Sequence, residues 1–184
     1  MLHARRYAAA SLKVSIPVLR NFRLLSLLGF LGCAFGLLFA LYLQYFQKLE
    51  PCPMCIFQRV AMIATGIVFL LGALHGPKRG GRWVYAILAA LAAAIGAGIA
   101  GRHVWLQHLP PDQVPACGPT LDYLLGMLPV NEVITTVLRG DGNCAIINAQ
   151  WLGISLPAWT LVAFLGFLLY ALAMPLLARK SSEL

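Results

Sequence analysis

Residues Leu24–Leu43 read "LLSLLGFLGCAFGLLFALYL". The run holds no lysine, arginine, aspartate or glutamate, and it stays free of them to Gln47. Crossing the hydrocarbon core of a bilayer takes about 20 mostly apolar residues in a row, and about 17 will serve. A secretory signal core is shorter, about 7–15 residues, and is followed by a small-x-small cleavage site. No such site follows here, so the run reads as a retained helix. Val60–Pro77, Trp83–Gly101 and Ala145–Ala178 are free of the same charged residues. Four spans are therefore expected, roughly 24–43, 56–74, 83–100 and 156–177. Composition agrees. Of 184 residues 60% are hydrophobic and only 11% charged, with a mean hydropathy of +0.80, whereas soluble domains carry about 25% charged residues. A soluble version would need four fully buried helices with almost no polar shell. The expected fold is an all-α membrane protein, a four-transmembrane-helix bundle with a long outer loop containing short amphipathic helices.

Charge sets the expected orientation. Arg5, Arg6, Lys13, Arg20 and Arg23 precede the first span; Lys78, Arg79 and Arg82 link the second to the third; Arg179 and Lys180 follow the fourth. These three regions fall on one side of a four-span bundle and hold ten of the 14 basic residues. Glu50, Asp112, Asp122, Glu132 and Asp141 fall on the other side. The positive-inside rule then puts both termini in the cytoplasm. Residues 1–23 are a basic tail able to lie on an anionic leaflet, 24–178 the membrane bundle, and 179–184 a second tail. The outer loops cover about 44–55 and 102–155. The net charge of +8 is mostly this topological bias, and no basic stripe interleaved with aromatics marks a nucleic-acid surface.

Prolines 110, 111, 115, 119 and 129 prevent the long loop from forming one helix. Within it Leu121, Leu124, Leu125 and Leu128 recur at helical spacing, followed by Val130, Val133, Ile134, Val137 and Leu138. Such stripes suit helices lying flat on the bilayer surface, or a loop packing on itself. The third span is rich in small residues, and Ala92/Gly96 and Ala94/Gly98 let a neighbouring helix approach closely. Pro157 suits the first turn of the fourth span.

Four of the five cysteines fall in the outer loops: Cys52 and Cys55 in the first, Cys117 and Cys144 in the second. Cys33, in mid-span, reads as a small apolar residue. Structural disulfides are one reading. For Cys117 and Cys144, loop closure is worth about 3–4 kcal/mol. That reading fails for the C-x-x-C frame, whose small loop restricts the unfolded chain very little. An all-thiolate zinc site is another, but Cys117 and Cys144 lack paired spacing and the outer side is oxidising. Redox chemistry leads, because C-x-x-C thiols are commonly activated. Arg59 follows one helical turn after Cys55, about 6 Å along the axis. At an effective dielectric near 20 its guanidinium favours a thiolate there by on the order of 2–3 kcal/mol. Two dithiols and a stabilised thiolate pass electrons on but do not dispose of them. The oxidant dissolved in lipid is a quinone.

The four spans, the C-x-x-C-x-x-x-R at Cys52–Arg59, the cysteine pair in the second loop and "LGISLPAW" at 152–159 resemble the disulfide-bond formation protein B family of bacterial inner-membrane thiol:quinone oxidoreductases, over about residues 24–177. The resemblance implies that Cys117 and Cys144 form a shuttle disulfide attacked at Cys117 by a periplasmic DsbA-like partner. Cys144 then engages Cys52, and Cys55 is left as the thiolate facing ubiquinone or menaquinone beside Arg59. It further implies a quinone-side histidine at the outer end of the third span, which His103 in "GRHVWLQ" matches and for which His108 competes. No resident metal is expected. The alternative from another class is a non-catalytic membrane adaptor or metal-handling subunit with structural cysteines. It predicts stoichiometric metal and no quinone reduction.

Overall fold

The computed structural model describes residues 21–147 and 149–179. Most of both tails, with Arg5, Arg6, Lys13, Arg20 and Lys180, lies outside the described residues. The expected helical membrane fold is present. Among the described residues four helices are long and apolar enough to cross a bilayer: α1 (Phe22–Tyr45), α2 (Pro53–His75), α3 (Arg79–Gln107) and α7 (Leu156–Arg179). At 1.5 Å per residue even α2, with 23 residues, is about 35 Å long, against about 30 Å of hydrocarbon. Between α3 and α7 lie α4 (Leu121–Met127), α5 (Val130–Arg139), α6 (Gly142–Ala145) and a hairpin of β1 (Gln150–Trp151) and β2 (Ile154–Ser155).

The largest departure from the expected spans is α3, which runs past residue 100 to Gln107. Arg102 and His103 mark the end of the apolar run but not of the helix, because neither stops a backbone hydrogen-bond ladder. The stop comes with Pro110 and Pro111, and at 29 residues α3 is about 13 Å longer than the hydrocarbon is thick. At the other end of the chain, α7 begins at Leu156 with Pro157 in its first turn. The hairpin ahead of it was not foreseen. Its two-residue turn has Leu152 at φ 54° and Gly153 at φ 76°, the left-handed pair that a tight antiparallel turn needs.

Packing explains the small residues. The face of α3 bearing Ala89, Ala93, Gly96 and Ala100 is buried against α7, and Phe164 of α7 fills the space left at Gly96. Of the two small-residue pairs, Ala92/Gly96 thus marks this contact through its glycine. Gly98 faces outward, and a Cβ added there would meet nothing within 4 Å. Cys33, unlike Gly98, does not face outward. It is buried where α1 meets Gly66 of α2. Tyr170 ties α7 to α1 by donating its hydroxyl to the Leu25 carbonyl at 2.7 Å.

A second, smaller core closes one end of the bundle. Met54 of α2, Leu106 of α3, Leu124 of α4 and Val133 and Val137 of α5 bury together with Cys144. One side of each loop helix therefore packs on the bundle, while Leu125, Ile134 and Leu138 stay exposed. Arg102 clamps this cap. It donates to the carbonyls of Leu138 and Arg139, the C-terminal groups that α5 cannot satisfy itself. The cap sits where α1 ends, α2 begins, α3 ends and α7 begins. Arg23, Lys78, Arg79 and Arg82 lie at the opposite end.

Candidate functional site

The tetrapeptide Cys52-Pro-Met-Cys55 builds its own helix start. Pro53 takes the first helical position, where a missing N–H costs nothing. Cys52 is the N-cap, and its sulfur accepts from the backbone N–H of Cys55 at 3.3 Å. Capping brings the two sulfurs to 3.1 Å, a hydrogen-bonded dithiol. Helix α2 thus starts at Pro53, two residues before Cys55.

His103 reaches the dithiol from α3. It is 2% exposed, with Nε2 3.8 Å from Cys52 Sγ and Nδ1 3.9 Å from Cys55 Sγ. Two further bonds define its tautomer. Nε2 lies 3.1 Å from the Cys144 carbonyl oxygen, which only accepts, so Nε2 carries a proton. Nδ1 is then free to accept from the Gln58 side-chain amide at 3.1 Å. Gln58 is itself buried. It was not singled out in the sequence, although its position three residues after Cys55, on the same helix face, could have revealed it. His108 is exposed and bonded to Val104 of its own helix, so His103 rather than His108 belongs to the site.

The long loop delivers Cys144. Asp141 caps α6 by accepting from the Cys144 N–H at 3.2 Å, and the thiol is 1% exposed. The ligating atoms of Cys52, His103 and Cys144 all lie within 4.8 Å of one another. The Cys52 sulfur beside it, and then burial, push the Cys144 thiol well above its ordinary pKa. Cys117 is exposed, and none of the five cysteines is disulfide-bonded. Its segment nevertheless lies against α6. The Ala116 carbonyl accepts from the Gly142 N–H at 3.1 Å, and the Gly118 carbonyl from the Asn143 amide at 3.1 Å.

Arg59 turns toward α1, donating to the Gln44 side-chain oxygen and to the Ala40 carbonyl. It still lines, with Cys52, Cys55 and His103, a cavity of about 270 Å³ between α1, α2, α3 and α7. The rest of the wall is mostly apolar, with Leu37, Phe39, Met62 and Trp159 among its members. The volume is close to the lower end of small-molecule pockets, about 300–1,000 Å³.

Fold and site together define a polytopic membrane protein with a thiol–imidazole centre at one end of its bundle. The family model for disulfide bond formation protein DsbB matches residues 22–174. A disulfide bond formation protein B of Xanthomonas euvesicatoria is 49% identical over 167 residues, 90% of this chain and 97% of that protein. Its counterpart in Nitrosococcus oceani is 54% identical over 138 residues, 75% of this chain and 82% of its own. The one in Hahella chejuensis is 50% identical over 152 residues, 83% of this chain and 92% of its own. The chain belongs to the disulfide bond formation protein B family, and its role is that of a membrane oxidoreductase in disulfide bond formation.

Proposed function

We propose that this protein re-oxidises a periplasmic DsbA-like dithiol protein and passes the electrons to a membrane quinone, ubiquinone or menaquinone. The observation that carries this reading is the approach of Cys144 Sγ to within 4.8 Å of Cys52 Sγ, close enough to join the two cysteine pairs into one path. In the oxidised enzyme Cys117 is bonded to Cys144 and Cys52 to Cys55. The partner's thiolate attacks Cys117, forming a mixed disulfide and releasing Cys144 as a thiolate. Cys144 attacks Cys52, and the Cys52–Cys55 bond breaks to leave a thiolate on Cys55. The partner's second thiol then displaces Cys117, so the partner leaves oxidised and two electrons stay in the enzyme. The Cys117 thiolate attacks Cys144, rebuilding the outer disulfide and releasing Cys52. Both electrons now sit on the Cys52–Cys55 dithiol. The exposure of Cys117 and the burial of Cys144 support this division of labour.

The cavity fits a quinone. Its walls are apolar where a ring and isoprenoid tail need them, and Arg59 would hold a carbonyl oxygen as an N–H donor, while His103 lines the wall beside the two sulfurs. When bound, the quinone supplies the two-electron, two-proton acceptor that returns Cys52 and Cys55 to a disulfide. DsbA-type dithiols are established as strongly oxidising, so their acceptor must be more oxidising than glutathione. The positive-inside bias supports both termini, with the tails at 1–23 and 179–184, in the cytoplasm of a bacterial inner membrane. The loops at about 44–55 and 102–155 then face the periplasm.

The test is partner-dependent quinone reduction by detergent-purified protein, wild type against single cysteine replacements. Cys117→Ser is expected to lose the reaction at its first step, with no partner oxidised even in a single turnover. Gly142→Ala tests the loop apposition. An added Cβ would sit 2.7 Å from the Pro115 carbonyl oxygen and 3.1 Å from Cys117 Sγ. Backbone on that side cannot yield cheaply. Oxidation of Cys117 and Cys144 by diamide is therefore expected to slow by about 10-fold or more, since misplacement by 1 Å costs up to about 10²-fold. Unchanged kinetics by quenched alkylation would show that the apposition does not matter.

A further inference from the structure

In the reduced site a nitrogen and two sulfurs from three separate chain segments converge in a small volume. Cys52 Sγ, a ring nitrogen of His103 and Cys144 Sγ lie within 4.8 Å of one another, and His103 Nε2 is 3.8 Å from Cys52 Sγ. A tetrahedral zinc ion with bonds of about 2.3 Å to sulfur and about 2.05 Å to nitrogen separates those ligands by about 3.6 Å. The site is thus within small side-chain adjustments of a cation's coordination shell. We propose that the reduced protein binds a thiophilic divalent cation, zinc in the cell, through Cys52, His103 and Cys144, and that the ion blocks the thiol relay.

The surroundings favour this ligand set. A metal-bound imidazole donates its other N–H to an acceptor that fixes its orientation. Gln58 stands 3.1 Å from Nδ1, and rotating its amide puts the oxygen where the nitrogen was. The imidazole proton moves from Nε2 to Nδ1, the bond to the Cys144 carbonyl is given up, and Nε2 is free to ligate. Each thiol loses one proton to solvent as its sulfur binds, and no electron moves. Cys52 is only half-buried and lines the cavity, which leaves the fourth position open to water and gives the ion a way in. Once either sulfur enters a disulfide it is no longer a thiolate ligand, so binding belongs to the reduced state. This site differs from a four-cysteine zinc centre, because Cys117 is not in it.

The inference rests on the contacts of the reduced thiols and not on the quinone. The full-length protein in detergent, reduced by a phosphine without oxygen, is titrated with Co²⁺ and then Zn²⁺. The expected result is one equivalent of cobalt with tetrahedral d–d bands and sulfur-to-cobalt charge transfer, displaced by zinc and absent after diamide oxidation. Cys144→Ser and His103→Ala lose the spectrum, Gln58→Leu weakens binding by about 10–100-fold, and Cys117→Ser keeps it. On the unmutated protein, zinc is expected to protect the half-buried Cys52 from maleimide while the exposed Cys117 still reacts. Overturning results are a spectrum indifferent to Cys144→Ser, equal binding by oxidised protein, or no protection of Cys52. Cobalt binding without quinone reduction leaves this inference standing and removes the relay, and the reverse outcome separates them equally.

Discussion

Cys55→Ser is expected to stop steady-state oxidation of a DsbA-type partner, lowering the rate by at least about 10³-fold, as loss of a reacting nucleophile typically does. Serine matches the thiol in size, so the cap that Cys52 places on the Cys55 N–H survives. What disappears is the second sulfur, 3.1 Å from the first. Without it Cys52 has no partner, Cys144 has no bond to attack, and no electrons reach the cavity. The outer pair is untouched. The variant should therefore still oxidise about one equivalent of partner in a burst and then halt. Burst kinetics with added quinone, followed by both quinone absorbance and alkylation of the partner, separate the two phases. Continued turnover in this variant would falsify the proposed relay.

The second large effect is structural. Gly96→Leu is expected to lower the melting temperature sharply and to abolish the site, whereas Gly98→Leu leaves both within the range of a silent surface change, about 0.5 kcal/mol. The two glycines are two residues apart on α3 and alike by composition. Yet any Cβ at Gly96 overlaps the ring of Phe164, which is fully buried, and one at Gly98 meets nothing. Overpacking of this kind costs about 1–3 kcal/mol and sometimes more, out of a total of about 5–15. Leucine adds four heavy atoms at a helix contact that cannot open without moving α3. His103 lies two turns further along that helix, so the imidazole leaves the sulfurs when α3 shifts. Adding Phe164→Ala to Gly96→Leu should recover part of the loss by emptying the space again. Equal melting of the two leucine variants in detergent would contradict this packing.

The chain announces its spans locally, because transfer into a bilayer depends on the composition of about 20 consecutive residues and on little else. Leu24–Leu43 reads as a membrane helix without any knowledge of its neighbours. The same holds for Cys52-Pro-Met-Cys55, whose proline and cap act within one turn. Arg59 was legible as a cation one turn from a thiol, but its distance along the axis says nothing of where its guanidinium points. Here that is α1, toward Gln44 and Ala40. Gln58 looked ordinary because its importance comes from a ring on another helix.

Tertiary structure alone decided which histidine meets the sulfurs. His103 and His108 both stand near the end of α3, and the rotation of that helix, set by the Ala89–Ala93–Gly96–Ala100 face packing on α7, turns one inward and leaves the other in solvent. It also decided that Cys144 rests against Cys52, since the loop is folded over the bundle end by Leu124, Val133 and Val137 burying with Met54 and Leu106. Local sequence sets helices because their hydrogen bonds close within four residues. Contacts across 40 or more residues are set by which faces bury together, and no stretch of either segment carries that information by itself.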